Sequence, residues 1–278
     1  MNLQVFANPM LLPVTVPLLA GLVCLLLPHA AERLRAFVAV AATAAVVVLV
    51  WPLFTAAAAG SVMAGVPVPW LAFRLDLLSR FILLAVAVFG LLIAIFSVGY
   101  YRGRASQRAY FTLYLWTLAI ACAAVMASDM LLLLVCWGFL GLTLYLMIGL
   151  AGPDAAGAAR KSLMIIGGAD ALLLFGVVAY WQLTGSTRMD AGALPLDSSL
   201  SYLVLLTFLA AAFAKAGVVP LHSWVPDFGE KADAPISAYL PASLDKLLGI
   251  YLLARCVMDL FVPTPALYFM LMLIGAVT

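Results

Sequence analysis

The chain has 278 residues, 67% of them hydrophobic and only 9% charged, with a formal net charge of +2 and a mean hydropathy of +1.19. Soluble domains carry about 25% charged residues, so a soluble fold is excluded; the net charge itself says little about partners, because its placement carries the information, and no nucleic-acid partner is expected. Continuous apolar runs such as 130–150 replace the alternating segments of a β-barrel, which leaves an all-α polytopic membrane protein whose surroundings are the lipid bilayer.

A helix needs about 20 apolar residues to cross the hydrocarbon layer. On that rule the sequence predicts spans near 9–28, 36–56, 75–98, 109–128, 130–150, 162–183, 200–227 (interrupted), 235–256 and 265–278. These are about eight transmembrane helices and a truncated ninth. The opening MNLQVFANPM lacks the basic region of a signal peptide, so the first run is expected to remain as a helix. Arg33 and Arg35, then Arg102, Arg104 and Arg108, then Arg160 and Lys161, then Lys231 occupy alternate loops. The positive-inside rule makes those loops cytoplasmic and the N-terminus external, in a cell inner (plasma) membrane. The four cysteines lie inside apolar runs with no CxxC spacing, so no metal site is expected.

Ahead of the third span, Arg74 and Asp76 read as a solvated interfacial pair, with Trp70 as an interfacial anchor. Ser128 and Asp129 leave almost no loop between spans four and five, which predicts a tight hairpin with Asp129 capping the second helix. Gly138, Gly141 and Gly149 on span five suggest close helix packing. Span six buries Asp170 about eight residues in. At that depth a carboxyl must be protonated, hydrogen-bonded or paired, as a relay group or as a structural partner.

The informative stretch is 200–256. A lysine at the centre of a membrane helix costs ~2.5–3.5 kcal/mol, and two lie here, Lys215 and Lys246. Just after Lys215, Gly217 and Pro220 break the helix, and irregular backbone at membrane depth belongs where it lines a cavity or is buried in protein. His222 follows seven residues after Lys215, as a proton shuttle or a packing residue. Asp227, Glu230, Lys231 and Asp233 read as a mostly solvated cluster. In the next span Pro241 frees the carbonyl of Ser237, and Asp245 and Lys246 sit side by side. Neighbours point about 100° apart on a helix, so at least one must reach another helix or internal water. The membrane-depth inventory of Asp170, Lys215, Asp245 and Lys246 balances. It fits either a proton relay or an inert polar core.

FAKAGVVPLHSWVPD and APISAYLPASLDKLLGIYLLAR, preceded in order by FRLDLLSR, IFSVGYY, ASDMLLLLVCWGFLGLTLYLMIGL and ARKSLMIIGGADALLL, resemble the antiporter-like proton-translocating subunits. These are the large hydrophobic subunits of complex I, the Mrp antiporter large subunit and the membrane subunit of group 4 hydrogenases. The resemblance implies about fourteen helices in two inverted five-helix repeats, each with a broken helix. It also implies proton transfer along lysines, histidines and waters, no redox cofactor in this subunit, and other membrane subunits as partners. Lys215 matches the family's lysine on the broken seventh helix, and Lys246 lies one place from a lysine of helix eight. Pro241 stands where many members have a histidine, and Gly138 stands where the family has the lysine's glutamate partner. The expected division is a three-helix region (1–108), a five-helix repeat (109–256, helices 4–8 with a discontinuous helix 7) and the truncated start of a second repeat (257–278). The implied function is proton translocation within a respiratory or hydrogenase-type complex. The alternatives are a Na⁺/H⁺ antiporter module of Mrp type and a non-conducting scaffold for a soluble redox or CO₂-handling partner.

Overall fold

The structure, a computed structural model, describes residues 9–55 and 70–278. The first eight residues and most of the loop before the third span lie outside the described residues. Seven helical stretches among them are long and apolar enough to cross a membrane. Helices α2 (Glu32–Thr55), α3 (Leu77–Tyr100), α4 (Gln107–Met126), α5 (Met130–Gly149), α6 (Ala156–Thr184) and α7 (Ser199–Ala216) supply six. The seventh, Ala234–Leu260, is composite. It runs through α9 (Ala234–Tyr239), a π turn at Leu240–Leu244, α10 (Asp245–Arg255) and a second π turn at Cys256–Leu260. Shorter helices are α1 (Leu12–Leu26), α8 (Trp224–Lys231) and α11 (Pro265–Val277). The first expected span is therefore a 15-residue helix. Helix α6 starts six residues ahead of its expected place, because the alanine-rich AAGAARK segment favours helix although it is too polar for a hydropathy window.

Large apolar side chains such as Phe81, Phe139, Met164 and Leu206 are exposed around the bundle. In water these would be adhesive patches; in hydrocarbon they are the ordinary lipid contact of a multi-pass membrane protein. Cross-bonded loops hold each end. At one end Arg74 N donates to Met126 O (2.7 Å), Met189 N to Ser128 O (3.0 Å) and Leu194 N to Leu260 O (2.8 Å). Asp129 caps α5 through Leu131 N (2.8 Å), as expected of the tight hairpin. At the arginine-rich end Gly103 N donates to Glu32 Oε1 (2.7 Å), Arg104 meets Asp233 (3.4 Å) and Lys161 meets Asp227 (2.7 Å).

Candidate functional site: a buried lysine–carboxylate cluster at a helix break

Helix α7 stops where the sequence requires it to stop. Gly217 adopts φ +69, a left-handed cap that side chains disfavour, and Val218 N donates back to Phe213 O (2.9 Å). At the break the carbonyl of Ala214 takes a long bond from Gly217 N (3.4 Å). It also accepts from Trp224 Nε1 at 2.9 Å, so the indole opening α8 seals the gap. Pro220 follows in the connecting turn.

The last turn of α7 carries Lys215, and its Nζ lies 3.9 Å from Asp245 Oδ1 on α10. Both residues are 1% exposed. Helix α10 approaches α7 almost backbone to backbone: a Cβ at Gly249 would fall 2.6 Å from Ala212 O and from Ala216 N. Asp245 and Gly249 share a helix face, one turn apart, so the glycine sets the distance across which the carboxylate meets the ammonium. Upstream, Pro241 has no amide to donate and the helix widens into a π turn. Ser243 Oγ donates to Ala238 O and to Tyr239 O (3.3 Å), satisfying carbonyls of the distorted turn. Such turns recur at functional sites.

Two more helices complete the cluster. Trp137 on α5 presents its ring 4.9 Å from Lys215 Nζ, a cation–π contact in a buried setting. Asp170 on α6 faces α5, and a Cβ at Gly141 would stand 3.3 Å from its Oδ2. Lys215 is the cation with which both Asp170 and Asp245 interact. Among the described residues, Lys215 Nζ and Asp245 Oδ2 have no hydrogen-bond partner. At 3.9 Å the pair is attracted but not hydrogen-bonded, beyond the ~2.6–3.2 Å reach of direct proton transfer. A small swing of the lysine, or one bridging water, closes that gap.

The structure therefore unites Lys215, Asp245 and Asp170 and leaves out the other two residues expected beside them. Lys246 is exposed on the outer side of α10 because Asp245, about 100° away, takes the inward position. His222 is exposed in the turn between α7 and α8 and does not meet Lys215. Gly138 is also exposed, and a Cβ there meets nothing within 4 Å. The face of α5 turned to the cluster carries Trp137, against Lys215, and Gly141, against Asp170, instead. These two are spaced i, i+4, so a helical-face count from Gly138 was the available signal.

In two polar clusters the structure departs from the solvated expectation, at Arg74 and Asp76 and at Asp233. Arg74 and Asp76 are not a solvated pair. Arg255, 2% exposed, donates to Asp76 (2.6 and 2.9 Å), Asp259 (2.5 Å) and Ser79 Oγ (2.7 Å), while Arg74 bridges Asp76 and Asp259 (3.0 Å each). Burial alone would raise the Asp76 carboxyl. The Arg255 hydrogen bonds, the Ser79 amide and both arginine charges outweigh it and hold the carboxyl at about 2. Nor is Asp233 simply solvated: Tyr100 Oη (3.0 Å) and Tyr101 Oη (2.8 Å) donate to its carboxylate. The two clusters fasten α3 to the two ends of the composite helix that carries Asp245.

Residues 127–278 match the family model described as NADH:quinone oxidoreductase/Mrp antiporter, TM. Among similar proteins, the chloroplastic NAD(P)H-quinone oxidoreductase subunit 5 of Ipomoea purpurea is 30% identical over 217 residues, 74% of this chain and 30% of that protein. The Cichorium intybus counterpart is 27% identical, covering 96% of this chain and 39% of its own length. In the Mrp complex from Dietzia sp. DQ12-45-1b, one subunit superposes with a TM-score of 0.79 and 26% identity, over 90% of this chain and 28% of its own. The fold is also that of a chain in the archaeal membrane-bound sulfane sulfur reductase, with a TM-score of 0.76 over 90% of this chain and 41% of that one. This chain thus spans less than half the length of each, and these relatives are subunits of multi-subunit membrane assemblies. The chain belongs to the NADH:quinone oxidoreductase/Mrp antiporter transmembrane family.

Proposed function

We propose that this chain supplies a proton-translocating unit of a larger energy-converting membrane complex, with Lys215, Asp245 and Asp170 as the groups that exchange the proton. The observation that carries this reading is the buried Lys215–Asp245 pair, placed at a broken helix and held at 3.9 Å without a hydrogen bond. A pair built only for stability is expected to close to contact, since a loose pair forfeits the hydrogen bonds that offset desolvation. In the step we envisage, the ammonium gives its proton to the Asp245 carboxylate. That leaves a neutral amine and a neutral acid, which a nearby charge can bias in either direction. Asp170 is the second acceptor.

Lys246 and His222 enter the relay in this reading only through polar groups that meet their outward faces, on another part of a longer protein or on a neighbouring subunit. The expected arrangement remains a three-helix region to residue 108, a five-helix repeat over 109–256 and the start of a second repeat beyond it. The arginine-rich end faces the cytoplasm and the N-terminus the outside of a plasma membrane, by the positive-inside rule. The likeness to the Mrp complex favours a second reading, a sodium–proton exchange module. The complex holding this chain, reconstituted in vesicles with a pH-sensitive dye, tests both. Lys215→Met and Asp245→Asn are expected to abolish acidification, and sodium dependence selects the second reading. Unchanged proton flux in both variants would leave a non-conducting scaffold as the function.

A further inference from the structure

Away from the lysine cluster, the arginine-rich end holds a two-part cleft between the α1–α2 turn and the ends of α2, α3 and α4. Its outer chamber, about 370 Å³, and its inner chamber, about 460 Å³, share Glu32, Arg33 and Arg102 as walls. The inner chamber continues between α2 and α3 as an apolar groove over Phe37, Val40 and Val98. The charges around it do not balance. Arg33 and Arg102 are exposed and have no polar partner among the described residues. Behind the wall Arg35 is 2% exposed and donates to Gln107 Oε1 (2.7 Å), Pro28 O (2.8 Å) and Leu27 O (3.4 Å), all neutral. The single carboxylate, Glu32, accepts from Gly103 N. Three guanidiniums against one carboxylate leave a net charge of +2.

Gln107 is 3% exposed and lines the inner chamber. Its oxygen is occupied by Arg35, so its amide nitrogen is left to donate into the cleft, where it has no partner among the described residues. A buried cation facing only neutral acceptors, beside a donor aimed into a cavity, favours an anion there. The cleft opens where α2 begins and α3 ends, which is the membrane boundary. Its apolar floor runs toward the hydrocarbon, where Phe37 is 69% exposed.

We infer that this cleft binds an anionic phospholipid, with the phosphate between Arg33 and Arg102 against the Gln107 amide and one acyl chain along Phe37, Val40 and Val98. Juxtamembrane basic pockets of this kind recognise anionic headgroups. The inference is independent of proton transfer.

The test is lipid retention by the full protein in detergent, measured by native mass spectrometry with phosphatidylglycerol or phosphatidylcholine of the same acyl chains. Phosphatidylglycerol is expected to be held preferentially. The doubly substituted Arg33→Gln, Arg102→Gln protein is expected to lose roughly 10- to 30-fold of that preference. Neither arginine makes a polar contact among the described residues, so unchanged thermal stability in phosphatidylcholine verifies the fold. Val40→Trp fills the groove and is expected to lower lipid retention while sparing the arginines. Inorganic phosphate in millimolar amounts separates a lipid site from a free-anion site: displacement of phosphatidylglycerol by phosphate overturns the lipid assignment. So does equal retention of the two lipids by the unsubstituted protein, or an unchanged preference in the arginine variant.

Discussion

Severing the Lys215–Asp245 pair one partner at a time, and then removing both, separates its electrostatic role from its packing role. Two unit charges 3.9 Å apart attract by about 4 kcal/mol at an effective dielectric constant near 20. Each has also given up its hydration, a cost of several kcal/mol per ion. Asp245→Asn leaves a sealed ammonium with the more distant Asp170 as its counter-charge and the Trp137 ring at 4.9 Å. Lys215→Met leaves a sealed carboxylate. Orphaning either charge is expected to cost about 3–5 kcal/mol, with Asp245→Asn toward the lower end because Asp170 remains. The double variant Lys215→Met, Asp245→Leu replaces both charges by apolar groups of similar volume and is expected to recover most of that loss. Unfolding in detergent followed by tryptophan fluorescence supplies the free energies for a double-mutant cycle. Single variants within about 1 kcal/mol of the parent, or a double variant as destabilised as the sum of the singles, would refute the claim that the two charges are sealed against each other.

Gly249→Ala places a methyl 2.6 Å from backbone atoms of α7 that have no rotamer to yield. The helices must part, at a cost of about 1–3 kcal/mol, with loss of proton flux although no charge is altered; unfolding and flux assays on one preparation check both. Asp76 carries the clearest pH signature. Its carboxyl is held at about 2, against 3.8 for an ordinary aspartate, so the stability it contributes, roughly 2 kcal/mol, is present above pH 4. That contribution is expected to vanish as pH falls from about 4 to about 2, and Asp76→Asn is expected to be less stable at neutral pH and flat across that window. Tyr101→Phe removes one donor to Asp233 (2.8 Å) and is expected to cost about 1–2 kcal/mol with partial retention of proton flux, since the clamp lies outside the relay.

Much of the architecture can be read from composition and span length because lipid allows few alternatives. The helix break is equally legible, since Gly217 and Pro220 act on the local backbone whatever surrounds them. The choice between Asp245 and Lys246 is not. Residues on both sides of α10 are apolar, so nothing in the periodicity tells the protein-facing side from the outer one, and only packing on α7 through Gly249 selects Asp245. Trp137 escapes for a related reason: an uncharged ring in an apolar helix carries no cost that calls for explanation, although its contact with Lys215 is part of the site. The Arg74–Asp76–Arg255–Asp259 network joins residues as many as 185 positions apart, and no local pattern encodes such a meeting. Charge at a helix end reads as solvated until the partner helix is placed.

The central claim is that a proton passes between Lys215 and Asp245. Difference infrared spectroscopy of the reconstituted complex under an imposed pH gradient tests it directly. A protonated carboxylic acid band is expected to appear and disappear with the gradient, to be absent in Asp245→Asn, and to cease responding in Lys215→Met. A spectrum with no carboxyl band that depends on Asp245, in a preparation that still moves protons, would contradict the account.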